Sequence, residues 1–427
     1  TVSIEHVEMN YGIPGSPEGH IDGVDLNMNK TTQKFNYHQD INFKGFETFD
    51  LDQKFIYYGH SEFESDQKMA SVKLGQEILL VQSKITGLKR ELGASFQYRM
   101  FKAGGFYWTP NTSESNISFF GFNEKEIFGL TGQVSFRGEY SAIEPQRKGT
   151  SFSNIDEKFV NNKNFGFLSL SAALIKTWEH WQLSTTIMRA GRTPGIEDLF
   201  SDGPHLGSYS YEIGNPTLSL EKTFGVESSL QFQKEQFSFL LNGFFNQSPN
   251  FHQYMKMGDG YVPGSDWIEW GSGSSGWLYK YQMRGIKTEI SGGELQLGYK
   301  GKALDISTDF SFVRGKDKTN SEYVGYMPAD KISLLVSTKS NKDLSGSIRL
   351  SKVLDQRRLS EFETMTPGYS LIDIFGSYSF KTKNGTHRLV LQLNNLLDET
   401  YYNHLSKIKS IMPETGRSIG FQYRYLF

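Results

Sequence analysis

The sequence predicts an all-β fold, a transmembrane antiparallel β-barrel of about 18 strands, each near the length a tilted membrane strand needs. Three observations carry this: a composition rich in aromatic residues and glycine at low mean hydropathy, a period-2 alternation of apolar and polar residues, and connections that alternate between short and long.

Composition comes first. The 427 residues include 33 Phe, 22 Tyr and 43 Gly, yet only 37% are apolar and 22% are charged. Mean hydropathy is -0.48. No stretch approaches the roughly 18 consecutive apolar residues of a spanning helix. A barrel tolerates this, because only its lipid-facing half must be apolar and its backbone polar groups are satisfied between strands. With no cysteine, disulfides, thiol catalysis and cysteine metal sites are excluded. The net charge of -2 leaves no basic excess for a nucleic-acid partner. Thr1-Val2-Ser3-Ile4 has neither the charged nor the apolar region of a signal peptide, so a mature or truncated product is expected.

The alternation runs along the whole chain. Phe96, Tyr98 and Met100 alternate with Ser95, Gln97 and Arg99, and Val134, Phe136 and Tyr140 with Gln133, Ser135, Arg137 and Glu139. Leu304, Ile306, Thr308, Phe310 and Phe312 alternate with Asp305, Ser307, Asp309 and Ser311. Leu389, Leu391 and Leu393 repeat the pattern, and Ile419, Phe421, Tyr423, Tyr425 and Phe427 present one aromatic face at the end. A soluble sandwich or propeller also alternates, so connection lengths must decide. Short turns are expected at Glu179-His180, Lys234-Glu235, Lys300-Gly301-Lys302, Asn341-Lys342-Asp343 and Lys383-Asn384-Gly385. Long connections are expected from Arg192 to Leu220, Gln247 to Trp277, Gly315 to Ala329, Gln356 to Gly368 and Leu397 to Thr415. Short periplasmic turns opposite long extracellular loops are the outer-membrane arrangement.

Several segments then resemble the TonB-dependent receptors. Leu393-Asn394-Asn395-Leu396-Leu397-Asp398-Glu399-Thr400-Tyr401-Tyr402 is similar to that family's "NLFD..Y", and Thr415-Gly416-Arg417 stands where "PGR" is usual. Arg192-Thr193-Pro194-Gly195-Ile196-Glu197-Asp198-Leu199-Phe200 resembles "R.P...ELF", and Gly214-Asn215-Pro216-Thr217-Leu218 resembles "GNP.L". Pro367-Gly368-Tyr369 with Asp373 looks like "PGY...D". Tyr11-Gly12-Ile13-Pro14-Gly15, followed by His20, is similar to the branch associated with zinc uptake, here with a shortened loop holding one histidine. The resemblance implies residues 1–427 form one N-terminally incomplete barrel domain, about 18 of a probable 22 strands, with the plug domain absent. It implies an outer-membrane transporter in a Gram-negative bacterium. Its partners would be lipid, the TonB–ExbB–ExbD system acting through the plug, and the barrel-insertion machinery reading Phe427.

No catalytic set is visible: no G-x-S-x-G elbow and no phosphate-binding loop occur, so an enzyme is not expected. Metal capture is the sharp site hypothesis, since imidazole with carboxylate suits zinc, copper and iron ions. Its candidates are Glu18, His20, His205 and Glu212, all on connections assigned to the outer side, with Asp198 and Asp202 nearby in sequence. His205 leads because its Gly-Pro-His setting also suits the zinc branch. For any one of these a solvated loop residue is the commoner role. Tyr261, Trp267 and Trp270 share one long loop and would cap a ligand or sit in the interfacial aromatic belt. Arg189 and Arg192 would face a plug or pair with an acid. No resident cofactor is expected; bound zinc or another divalent metal would be cargo. The cargo expected is a scarce metal or metal chelate, zinc first and an iron siderophore or haem next, and the alternative is a passive porin-like channel.

Overall fold

A computed structural model describes residues 1–13, 23–64, 69–146, 153–208, 210–258, 267–269, 277–338, 343–409 and 412–427. Among them are 22 strands. Four are only two to four residues long, and the remaining eighteen match the number the alternation predicts. The chain divides into two compact units.

Unit one comprises Thr1–Ala173, Ile187–Gly225 and Gln247–Lys287. It opens with β1 (Val2–Ile13), β2 (Val24–Phe43), β3 (Phe46–Glu64) and β4 (Val72–Gly87). β5 (Arg90–Gly105), β6 (Thr112–Ile127) and β7 (Leu130–Pro145) follow. Each pairs antiparallel with the next. Two of the hairpins close on Lys44-Gly45 (φ 48 and 83) and Phe128-Gly129 (φ 52 and 73). Positive φ at both central residues is the type I′ geometry whose twist matches paired strands, and glycine takes the second place at no steric cost. The turns at Phe128-Gly129 and Leu88-Lys89 escape the sequence reading because Phe128 and Leu88 are apolar yet stand exposed at the turn tips.

Register shows what the two sheet faces do. Val2, Phe35, Gln53, Val81, Phe96, Ile117 and Tyr140 stand directly opposite one another across seven strands. Phe96, Ile117 and Tyr140 are 40%, 45% and 52% exposed. One residue along, the row is Asn36, Asp52, Gln82, Ser95, Ser118 and Glu139, polar throughout. Ser95 and Ser118 hydroxyls meet at 2.7 Å, and Arg137 donates to Glu139 at 3.0 Å. A soluble sandwich buries its apolar rows; here the apolar row is the open one.

β8 (Lys163–Trp178) and β9 (Trp181–Arg192) contribute to both units. After them come α1 (Ile196–Phe200), β10 (Asp202–His205), β11 (Ser210–Ile213), β12 (Glu221–Lys234) and β13 (Phe237–Lys256). β14 (Trp267–Glu269), β15 (Trp277–Lys300), β16 (Leu304–Asp317) and β17 (Glu322–Tyr323) come next. The chain ends with β18 (Lys331–Thr338), β19 (Leu344–Val353), β20 (Tyr369–Thr382), β21 (Gly385–Asn394) and β22 (Ser418–Leu426).

Unit two comprises Leu174–Thr186, Val226–Asn246 and Thr288–Phe427. It repeats the same logic. Tyr299, Ile306, Val336, Ile348, Ile374, Leu393 and Ile419 form one cross-strand row, apolar at all seven positions. On the opposite face Asp309 accepts from Gln296 and Ser333, each at 2.9 Å. In both units consecutive strands run antiparallel, so connections alternate between two ends: tight turns at one, long loops at the other. Two loop boundaries differ from expectation. β13 continues to Lys256, shortening the connection placed from Gln247 to Trp277, and Glu322-Tyr323 returns along β16 inside the connection placed from Gly315 to Ala329. Alternation marks a strand only where one face is apolar, and these extensions run past that band.

The sealed apolar core of unit one lies among its loops and the strand ends that meet them, β7 near Ile143 and β15 near Leu278. Tyr107, Ile143, Ile196, Leu199, Phe200, Leu206 and Leu278 are essentially inaccessible to solvent.

Candidate ligand-binding site

The connection between β9 and β12 carries the site. α1 begins after Gly195, whose N–H donates to the Asp198 carboxylate at 3.1 Å. Its Ile196, Leu199 and Phe200 anchor it in the core. Arg99 on β5 clamps Glu197 through both terminal guanidinium nitrogens, and the Tyr254 hydroxyl donates to the Glu197 carbonyl at 2.8 Å. β10 and β11 then form a hairpin in which Gly203 faces Glu212 and His205 faces Ser210. β11 continues parallel to β15, Ser210 opposite Tyr279.

Asp202 is the hub of this arrangement. Its buried carboxylate accepts from Ser153 Oγ (2.6 Å), Asn154 N (2.7 Å), Asn154 Nδ2 (2.9 Å) and Tyr211 OH (2.9 Å). Four donors compensate a charge that would otherwise be costly to bury. Burial, and then the Asp202 charge, push the Tyr211 phenol well above its ordinary range. It therefore remains a donor.

Tyr107 lies against Gly203 so closely that a Cβ there would fall 2.2 Å from its ring. Its hydroxyl meets Ser201 Oγ at 2.7 Å and His205 Nε2 at 3.3 Å, and the Tyr107 and His205 rings stand edge to face. Burial raises the Tyr107 phenol far above its ordinary value, so it too keeps its proton. His205 Nε2 also lies 3.3 Å from Glu212 Oε2, with side-chain exposures of 35% and 13%. The result is one imidazole on a hairpin, held at Nε2 by a phenol and a carboxylate, with about a third of its side chain open to solvent.

Of the residues singled out in the sequence, His205 and Glu212 are thus brought together. Glu18, His20, Tyr261 and Trp270 lie outside the described residues. Trp267, in β14, pairs through its backbone with Tyr279 of β15, and its side chain is also outside the description. Asp198 and Asp202 serve the scaffold. Arg192 donates to Glu221 (2.9 Å) and Asp198 (3.2 Å), the acid-paired role. Sequence reading missed Tyr107 and Asn154, because both reach the site from other loops and no spacing rule connects them to His205. Among the described residues, no three His, Asp or Glu side chains converge as a ready metal cage.

Unit two holds a different histidine. His404 is sealed between Glu363, 3.2 Å from Nε2, and Thr366, 2.9 Å from Nδ1. Lys409 Nζ donates to Thr364 O (2.6 Å), Thr366 Oγ1 (2.9 Å) and His404 Nδ1 (3.1 Å). An ammonium only donates, so Nδ1 accepts and the ring proton sits on Nε2, toward Glu363.

Comparison with known proteins agrees with this architecture. The copper transporter OprC shares the fold with a TM-score of 0.78 at 14% identity, over 99% of this chain and 68% of that one. The Serratia marcescens hemophore receptor HasR, solved as a double mutant with HasA and heme, gives 0.69 at 14% identity, over 100% and 69%. The FrpB iron transporter of Neisseria meningitidis gives 0.71 at 11%, over 99% and 70%. In sequence, the Heme/hemopexin utilization protein C of Haemophilus influenzae is 26% identical over 279 residues. That match takes in 60% of this chain but only 38% of the relative's length. Residues 11–396 match the family described as TonB dependent receptor-like, beta-barrel. The chain therefore belongs to the TonB-dependent receptor β-barrel family, receptors rather than enzymes, seated in the Gram-negative outer membrane.

Proposed function

We propose that this chain is the barrel of a receptor that captures a metal chelate at its loop end, with haem the favoured cargo and zinc the second reading. The observation behind this is the half-open His205 edge. A bare zinc ion asks for about four protein ligands in a closed site. A chelated iron arrives with most of its ligands in place and needs one or two more, for which an imidazole or a phenolate is the usual donor. His205, steadied by Tyr107 and Glu212, offers such a donor. The name of the Haemophilus relative points to the same cargo class. Zinc would call on Glu18 and His20 to complete the set. Tyr261, Trp267 and Trp270 would cover a flat ligand from the neighbouring loop. Transport would draw on TonB–ExbB–ExbD through the plug of the complete protein, and Phe427 would guide insertion. A porin-like channel is disfavoured, since family membership brings in a gated receptor.

The test is titration of the complete receptor with hemin, followed by absorbance, and with Zn²⁺, followed by calorimetry. His205→Ala is expected to weaken hemin at least tenfold. Intact hemin binding with lost Zn²⁺ binding would favour zinc, and no change in either would remove the site.

A further inference from the structure

A second histidine–glutamate pair lies in unit one, on β3, and the sequence reading does not assign it. Tyr58, His60, Glu62 and Glu64 alternate onto the same face as Asp52, the polar side of the sheet. Tyr58 OH meets His60 Nδ1 at 3.0 Å, and His60 Nε2 meets Glu62 Oε1 at 3.0 Å. Two residues on, Glu64 accepts from Ser71 Oγ at 2.9 Å.

The unusual atom is the other oxygen of Glu62. The residue is 5% exposed, and Oε2 is sealed from solvent with no hydrogen-bond partner. Its cross-strand neighbours are Leu26 and Val72, both buried. A carboxylate oxygen held between two aliphatic side chains has lost its hydration and gained nothing in return. Among the described residues its one ionic partner is His60. Such a group calls for a cation.

We propose that His60 and Glu62 form a cation station for a divalent transition metal of the zinc class. Imidazole selects against calcium and magnesium, which take oxygen ligands, and suits zinc, copper and nickel. The 3.0 Å separation of Nε2 and Oε1 is close to the roughly 3.3 Å ligand–ligand edge of a tetrahedral site with bonds of about 2.0–2.1 Å. The metal takes the Nε2 lone pair: the single ring hydrogen of the neutral imidazole passes by way of solvent from Nε2 to Nδ1, with no net proton released, and Nδ1–H donates to the Tyr58 oxygen, the outer-sphere bond that ligating histidines usually make. Glu62 then has both oxygens within reach of positive charge. With two protein ligands and water in the other positions, the ion is held loosely and exchanges, as suits a halt on a path more than a structural cage. The station is separate from the His205 pair and does not depend on the cargo proposed for it.

Co²⁺ tests this directly, because its visible absorption reports nitrogen and carboxylate coordination. The complete receptor, stripped with chelator in detergent, would be titrated as wild type, His60→Ala, Glu62→Gln and His205→Ala, with heat-modifiable electrophoretic mobility as the control for an intact barrel. The expected result is a band lost in His60→Ala, formed at tenfold or more higher Co²⁺ in Glu62→Gln, and retained in His205→Ala. Equal titrations for wild type and both β3 variants would overturn the assignment. So would a band lost only in His205→Ala. An infrared carboxylic-acid band present in wild type, missing from Glu62→Gln and unmoved by Co²⁺ would overturn it too, giving the orphan oxygen a proton instead.

Discussion

The His205–Glu212 pair of unit one and the His404–Glu363 pair of unit two use the same two side chains for opposite ends. At the first, the side chains are 35% and 13% exposed, and the imidazole keeps an open edge. At the second they are 3% and 5% exposed; Thr366 and Lys409 fill Nδ1, and Nε2 lies 3.2 Å from Glu363. Glu363 accepts from Tyr326 N (2.7 Å), Ser360 N (2.9 Å) and Ser360 Oγ (3.1 Å) besides approaching His404, while Lys409 fills Nδ1 from the other side. That pair therefore ties together three connections of unit two: the one before β18, the one before β20 and the one before β22. A histidine and a glutamate hold loops when their remaining valences are filled, and they await a ligand when those valences are left open.

The contrast predicts where damage appears. Removing the carboxylate in Glu363→Ala strands a buried imidazole and two backbone N–H groups, at a cost of about 3–5 kcal/mol. Hydrogen exchange should show protection lost in the three tied connections. Glu212→Ala, by contrast, should leave protection intact and act on ligand binding. If the two variants lose protection alike, the distinction between lock and receptor fails.

Next in size is the apolar face, where the two units should not differ. Ile117 and Ile348 occupy equivalent outward rows. Lysine at either position should cost about 2–4 kcal/mol near the bilayer midplane, read from denaturant unfolding out of lipid vesicles. A cost confined to one unit would show that only one of the two rows meets lipid.

Gly203→Ala separates scaffold from ligand within unit one. The new methyl must push back the buried Tyr107 ring, which lies 2.2 Å from where it would sit. Overpacking of this kind costs about 1–3 kcal/mol. Because Tyr107 steadies His205, hemin affinity should fall while the loops of unit two keep their protection.

The sheet was more legible than the site, for a physical reason. Strand faces are written in adjacent residues: the alternation of Ile419, Phe421, Tyr423 and Tyr425 with Gly420, Gln422 and Arg424 is the outward and inward split itself. His205 and Glu212 were legible as candidates because one hairpin carries both. Tyr107 reaches His205 from 98 residues away, and Asn154 reaches Asp202 from 48. Nothing local in the sequence marks such meetings. Glu62 is harder still to read: its alternation with His60 and Glu64 looks like any polar strand face, and only the cross-strand register puts Leu26 and Val72 on either side of it.

The smallest effect is the response of the unit two lock to acid. Burial alone would raise the Glu363 carboxyl, but the contact with His404 and the N–H groups of Ser360 and Tyr326 outweigh it and hold the group below its ordinary range. A folded pKa below the unfolded one contributes stability that is complete above the unfolded value, about 4.3 for a glutamate, and drains away as pH falls through the folded value. Other ionisable groups contribute to the raw pH profile, which therefore mixes several titrations. Glu363→Gln keeps the shape, and His404 and Lys409 remain in both proteins. The difference in loop protection between wild type and this variant should therefore be flat above about pH 5 and shrink toward zero only in stronger acid. A difference that instead grows as pH falls would mean that the carboxyl is already protonated in the folded loops, and that His404 faces a neutral partner.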